Sequence, residues 1–91
     1  MINEGMINIK EVDIMKTVQI SLNSIDKVKS FVNDIAKYEF DFDLVSGRYV
    51  IDAKSIMGIF SLDLSKDIDL NIHTDGPELA SVMNVLKPYL V

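Results

Sequence analysis

His73 is the one imidazole in the chain, so any histidine-dependent proton or phosphoryl transfer would have to run through it. It closes a stretch in which Ile68, Leu70 and Ile72 alternate with polar residues, which points it to the solvent side of a strand, with Asp75 as its nearby acid. A Ser-His-Asp constellation can be written with Ser55 or Ser61, but no spacing ties those hydroxyls to His73. An exposed surface histidine is the structural alternative. Glu39, Asp41 and Asp43 alternate along another strand and could offer oxygen ligands to a hard cation. They lack the Asp-rich loop and glycine of a calcium site, so they are read as a solvated sheet face. No metal site and no cofactor is expected, and Gly47 and Gly58 make no phosphate-cradling loop.

The most informative stretch is Asp52 to Leu62, DAKSIMGIFSL. If Ser55 caps a helix, its hydroxyl lies where backbone N–H groups are unpaired and the helix dipole is positive. A phosphate on Ser55 would be tolerated there, with Lys54 and the same N–H groups as partners for its oxygens. A plain cap worth about 1 kcal/mol satisfies the same residues. Ile56, Met57 and Phe60 cannot all face a core from so short a helix. Either one or two of them form an exposed apolar patch beside Ser55, or Met57 and Phe60 close the edge of the core.

These residues need elements to position them, and the chain of 91 residues allows one domain. With 48% apolar and 25% charged residues it has the composition of a folded globular domain. The absence of cysteine removes disulfides, thiolate nucleophiles and sulfur-built zinc sites, which suits a reducing cytoplasm. A net charge of −5 without a basic patch argues against nucleic-acid binding. No apolar run approaches a membrane span, and the N-terminus makes a poor signal peptide.

Residues 1–14 are expected to be an ordered extension outside the core domain, with Ile7, Ile9 and Val12 as candidates for an added edge strand. From Met15 onward the chain reads as a complete domain. Val18, Ile20 and Leu22 alternate as a strand over Thr17 to Asn23. Asn23 and Ser24 offer a helix cap, Asp26 suits the first turn, and Ile25, Val28, Phe31, Val32 and Ile35 recur at helical spacing toward Tyr38. Phe40, Phe42 and Leu44 form a second strand, turned at Ser46-Gly47-Arg48 into a third over Tyr49 to Ala53. Lys54 to Leu64 reads as a helix capped by Ser55, in competition with a buried strand. A fourth strand follows around Ile68 to Ile72. Pro77 then opens a last helix bearing Leu79, Val82, Met83, Leu86 and Leu90, which Pro88 ends or bends. The order βαββαβα, with one apolar face per element, predicts an α+β open-faced sandwich: a four-stranded, mostly antiparallel sheet with three helices on one face.

At AKSIMGIFSL, Ala53 to Leu62, the sequence resembles the regulatory-serine segment of the HPr family, the small phosphocarriers of the bacterial sugar phosphotransferase system. The element order, Gly76 before the last helix and the length from Met15 onward match as well. The resemblance implies the same βαββαβα fold and two phosphorylation sites. One is a histidine capping the first helix, which takes phosphate from enzyme I. The other is a serine, matched by Ser55, which an ATP-dependent HPr kinase/phosphorylase modifies in many Gram-positive bacteria. The phosphoserine form binds a catabolite-control transcription factor through an apolar patch that Ile56, Met57 and Phe60 resemble. Where the histidine motif belongs, this chain reads Asn23, Ser24, Ile25, Asp26 and Lys27, without histidine. The pattern is similar to the catabolite-repression paralogue, which lacks the histidine and keeps the serine.

The expectation is therefore a non-catalytic regulatory protein that docks protein partners through Lys54, Ser55, Ile56, Met57 and Phe60, with Ser55 as a candidate switch. The partners in view are an HPr kinase/phosphorylase, a catabolite-control regulator or phosphotransferase components. A phosphocarrier with an unconventional acceptor, and a purely structural or oligomeric HPr-fold protein, are the alternatives.

Overall fold

The computed structural model describes residues 15–91; the expected extension over residues 1–14 lies outside the described residues. Seven elements follow in order: β1 (Lys16–Ile20), α1 (Ile25–Ile35), β2 (Phe42–Ser46), β3 (Tyr49–Asp52), α2 (Ile56–Phe60), β4 (Ile68–Ile72) and α3 (Glu78–Leu86). The strands form one sheet in the order β1-β4-β2-β3, and every neighbouring pair is antiparallel. This is the α+β sandwich that the alternation pattern predicts.

The alternation fixes which sheet face is covered. Ile20, Phe42, Leu44, Ile68, Leu70 and Ile72 are buried against Val28, Phe31 and Ile35 of α1, Ile59 of α2 and Val82 and Leu86 of α3. The intervening positions, among them Gln19, Asp43, Asp69 and Asn71, lie on the open face. No buried side-chain nitrogen or oxygen lacks a partner among the described residues.

Several ends differ from the expected bounds. β1 stops at Ile20 although Leu22 stays fully buried, because the chain is already turning into the cap of α1. Ile25 belongs to the expected apolar stripe yet is exposed, since the first helical residue faces away from the sheet. α1 ends at Ile35 instead of continuing to Tyr38. There the aromatic rings of Tyr38, Phe40 and Phe42 pack on one another, with centroids 5.2 to 6.1 Å apart, and draw the chain out of the helix. β2 accordingly begins at Phe42, and Phe40 is only half-buried. α2 is a single short helix rather than Lys54 to Leu64: the Ser61 hydroxyl donates to the Gly58 carbonyl at 2.6 Å and ends it.

Pro77 is the cap residue of α3, in helical conformation, and Glu78 is its first helical residue. Beyond α3, Tyr89 is an unexpected core residue. It meets Phe31 edge to face at 5.5 Å, its hydroxyl donates to Asp34 Oδ2 at 2.8 Å, and Ser30 Oγ lies 2.7 Å away. The tail then runs beside β1: Ser21 N–H donates to Tyr89 O at 2.8 Å, and Leu90 pairs with Ile20.

Candidate functional site

Ser55 sits between β3 and α2, and its surroundings explain the local sequence. The segment leaves β3 through a turn in which Lys54 N–H donates to Asp52 Oδ1 at 2.9 Å and Ser55 N–H to Asp52 O at 3.0 Å. Ser55 then takes extended dihedrals, and its Oγ accepts the Gly58 N–H at 3.3 Å, the N-cap that the sequence predicts. Gly58 accommodates this distance without displacing its neighbours. A Cβ there would come 3.2 Å from Ser55 Oγ and 3.3 Å from Ile51 Cδ1, so glycine lets the cap and β3 close against the helix.

α2 divides its apolar residues cleanly. Ile59 is fully buried and Ile56 packs partly against the core, whereas Met57 is 76% exposed and Phe60 40%. With Ser55 also exposed, one turn of helix presents a hydroxyl beside a flexible thioether and an aromatic edge.

Lys54 takes a different position from the one expected of a phosphate partner. Its Nζ donates to the Tyr38 carbonyl at 2.6 Å and the Phe40 carbonyl at 3.0 Å, and lies 5.7 Å from the Phe42 ring centre. The ammonium thus satisfies two carbonyls of the segment that joins α1 to β2, so its charge is engaged before any ligand arrives.

At the start of α1, Ser24 is the N-cap, with Oγ accepting from Lys27 N–H at 3.1 Å. Asn23, Ser24, Ile25 and Asp26 are exposed and Lys27 is half-buried. The cap hydroxyl and the carboxylate of Asp26 give this turn neither an imidazole nor another neutral nitrogen base.

His73 follows β4, and its ring Nε2 lies 2.6 Å from Asp43 Oδ2, while its backbone N–H donates to Asp41 O at 3.0 Å. The partner is therefore Asp43, across the sheet, rather than Asp75, and the side chain is half-buried by this contact. A carboxylate oxygen only accepts, so Nε2 carries the proton. Ile72 pairs with Lys16 and Ile68 with Ile20, which puts His73 at the end of the sheet away from the β1–α1 turn. Glu39 and Asp41 are exposed as a solvated face requires, but Asp43 is tied to His73. The sequence carries one signal for this pair, the shared outward parity of Asp43 and His73. It does not carry the register that brings them together.

Fold and site together define a small open-faced α+β sandwich with exposed serine hydroxyls capping two of its helices. The family model described as the PTS HPr component phosphorylation site matches residues 26–90, and the chain belongs to the HPr family. Among solved structures, HPr-C-His from Thermoanaerobacter tengcongensis is similar over 80% of this chain and 88% of that one, with 23% identity and a TM-score of 0.61, a likeness of fold. Membership relates the chain to the phosphocarriers of the phosphotransferase system. No helix among the described residues is long and apolar enough to cross a membrane.

Proposed function

We propose that this protein is a non-catalytic, HPr-like regulator tied to the sugar phosphotransferase system or to carbon catabolite control. It docks proteins through α2, and phosphorylation of Ser55 switches that docking. The observation that carries this reading is a contrast between two caps. The cap of α1 is Ser24 with no imidazole in its turn, whereas α2 sets the exposed Ser55 hydroxyl beside exposed Met57 and Phe60. Serine phosphate is a low-potential ester suited to signalling, whereas relay of a phosphoryl group needs a nitrogen acceptor. The partners follow from the family: an HPr kinase/phosphorylase acting on Ser55, and a catabolite-control regulator or phosphotransferase component receiving the α2 patch. Such a role belongs in the cytoplasm.

The test uses two phosphate sources. With ATP and an HPr kinase/phosphorylase, intact-mass measurement should find one acid-stable phosphate, absent from Ser55→Ala. With phosphoenolpyruvate and enzyme I, no phosphate should be transferred to the chain. Phosphate transferred in that second reaction, whether acid-labile and lost on changing His73 or acid-stable and lost on changing Ser24, would overturn the proposal in favour of a working phosphocarrier.

A further inference from the structure

The two edges of the sheet are finished differently. The outer edge of β1 is partly covered by the tail, where Leu90 pairs with Ile20 and Val91 N–H donates to Gln19 O at 3.3 Å. β3 is the other edge, and among the described residues nothing pairs with its outer side. It is short and ends in the charged Asp52, but Tyr49-Val50-Ile51-Asp52 contains no proline, lysine or bulge, and Tyr49 and Val50 are 68% and 64% exposed.

The direction of its backbone groups follows from the hairpin. Ser46 and Tyr49 close a two-residue turn and Ala53 N–H donates to Phe42 O at 2.9 Å, so Tyr49, Ile51 and Ala53 address β2. Val50 and Asp52 therefore address solvent, although Asp52 O is already taken by Ser55 N–H. The groups left for another strand are Val50 N–H, Val50 C=O and Asp52 N–H.

We infer that the β3 edge is a self-association surface, on which a second copy of this chain pairs its own β3 antiparallel about a two-fold axis at Val50. In that register Val50 meets Val50 of the second copy and exchanges both backbone bonds, and Asp52 N–H reaches the Arg48 carbonyl of the second copy. Each side-chain pairing is complementary. Tyr49 covers Ile51 of the second copy on the core side, an aromatic against a β-branched residue. On the open face Arg48 meets Asp52 of the second copy, twice by symmetry. Arg48 makes no ion pair among the described residues, and Asp52 directly opposes the like charge of Asp43 across β2 and β3. The arriving guanidinium relieves that repulsion. Val45, which pairs with Val50, extends the apolar row on each side of the axis. Centring the axis on Ile51 also satisfies backbone parity, but it sets Arg48 against Lys54 and Val50 against Asp52, so charge and polarity select the Val50 register.

A four-residue edge makes a small interface and hence a weak, concentration-dependent dimer. Sedimentation velocity on the full chain from about 10 μM to about 1 mM should show the mass rising from one chain toward two. Val50→Lys, at an exposed position, should stay monomeric with an unchanged circular-dichroism melt. Arg48→Asp and Asp52→Arg should each lose about tenfold in self-association, since each alone sets like charges opposite one another. Their mixture should recover it, because the heterodimer pairs two arginines with two aspartates. A wild-type chain still monomeric at the highest concentration overturns the inference. So does a dimer indifferent to Val50→Lys, or a mixture that associates no better than either variant alone.

Discussion

Ser55 and Met57 are two residues apart and do opposite work. The Ser55 hydroxyl caps α2, so Ser55→Ala should cost about 1 kcal/mol in urea unfolding. Met57 is largely free of the core, so Met57→Ala should change stability by less than about 0.5 kcal/mol while weakening partner binding in a pull-down or calorimetric titration. Equal losses of stability would show that Met57 packs rather than docks. Tyr89 has its charge-forming proton in the Asp34 bond, and burial, ahead of the influence of Asp34, raises its pKa above the ordinary phenol value. A raised folded-state pKa makes this contribution complete below about pH 10 and lost as pH rises through the folded value. Stability should therefore fall at alkaline pH, and Tyr89→Phe should flatten that fall while costing about 1 kcal/mol at neutral pH, measured by urea midpoints across pH. The cap at Ser55 was legible because a serine at the start of an apolar run is a local N-cap signal. Tyr89 was not, since its partners Ser30 and Asp34 are distant in sequence and a tyrosine after a helix-ending proline carries no periodicity.

Among the elements, α2 is held in place from a distance. Lys54 ties the start of that helix to the Tyr38 and Phe40 carbonyls in the segment between α1 and β2, so Lys54→Met should loosen both places at once. The expected cost is about 1 to 3 kcal/mol, with faster amide hydrogen exchange across residues 36–42 as well as in α2. Exchange confined to α2 would mean that the ammonium acts only locally. The β2–β3 turn makes a simpler demand, because Gly47 has φ +61°. Gly47→Ala should destabilise by about 1 to 2 kcal/mol, read from the thermal midpoint, with the hairpin register unchanged. All seven elements could be read from periodicity, caps and the Ser46-Gly47-Arg48 turn, because every element buries a clear apolar face except β1, which fully buries only Ile20, and β3, which the turn returns along β2. Their ends could not. Tyr38 and Phe40 fit a helical stripe or a strand equally well until packing on Phe42 decides between them, and the brevity of α2 depends on the Ser61 hydroxyl turning back to Gly58.

At the scale of the whole molecule, the net charge of −5 is met by little specific pairing: among the described residues only Lys66 with Asp63, 4.0 Å apart and exposed, and His73 with Asp43 form acid–base contacts. Diffuse repulsion on the acidic open face should then outweigh pair screening. Raising NaCl from about 10 mM to about 200 mM should increase the thermal midpoint by a few degrees. A lower midpoint in salt would show that the pairs dominate. Fold class was readable at this scale because one-sided elements have few ways to bury their faces, whereas strand register, which assembles Asp43 with His73 and aligns Val45 with Val50, is a property of the assembled sheet. The Asp43–His73 contact also has a practical use. A protein with one histidine yields one imidazole Cε1–H resonance in a proton spectrum, and here that signal belongs to a ring bridging β2 and the end of β4. Without any label it is a built-in spectroscopic reporter of whether those two strands remain in register while partners bind at α2 or a second copy adds at β3.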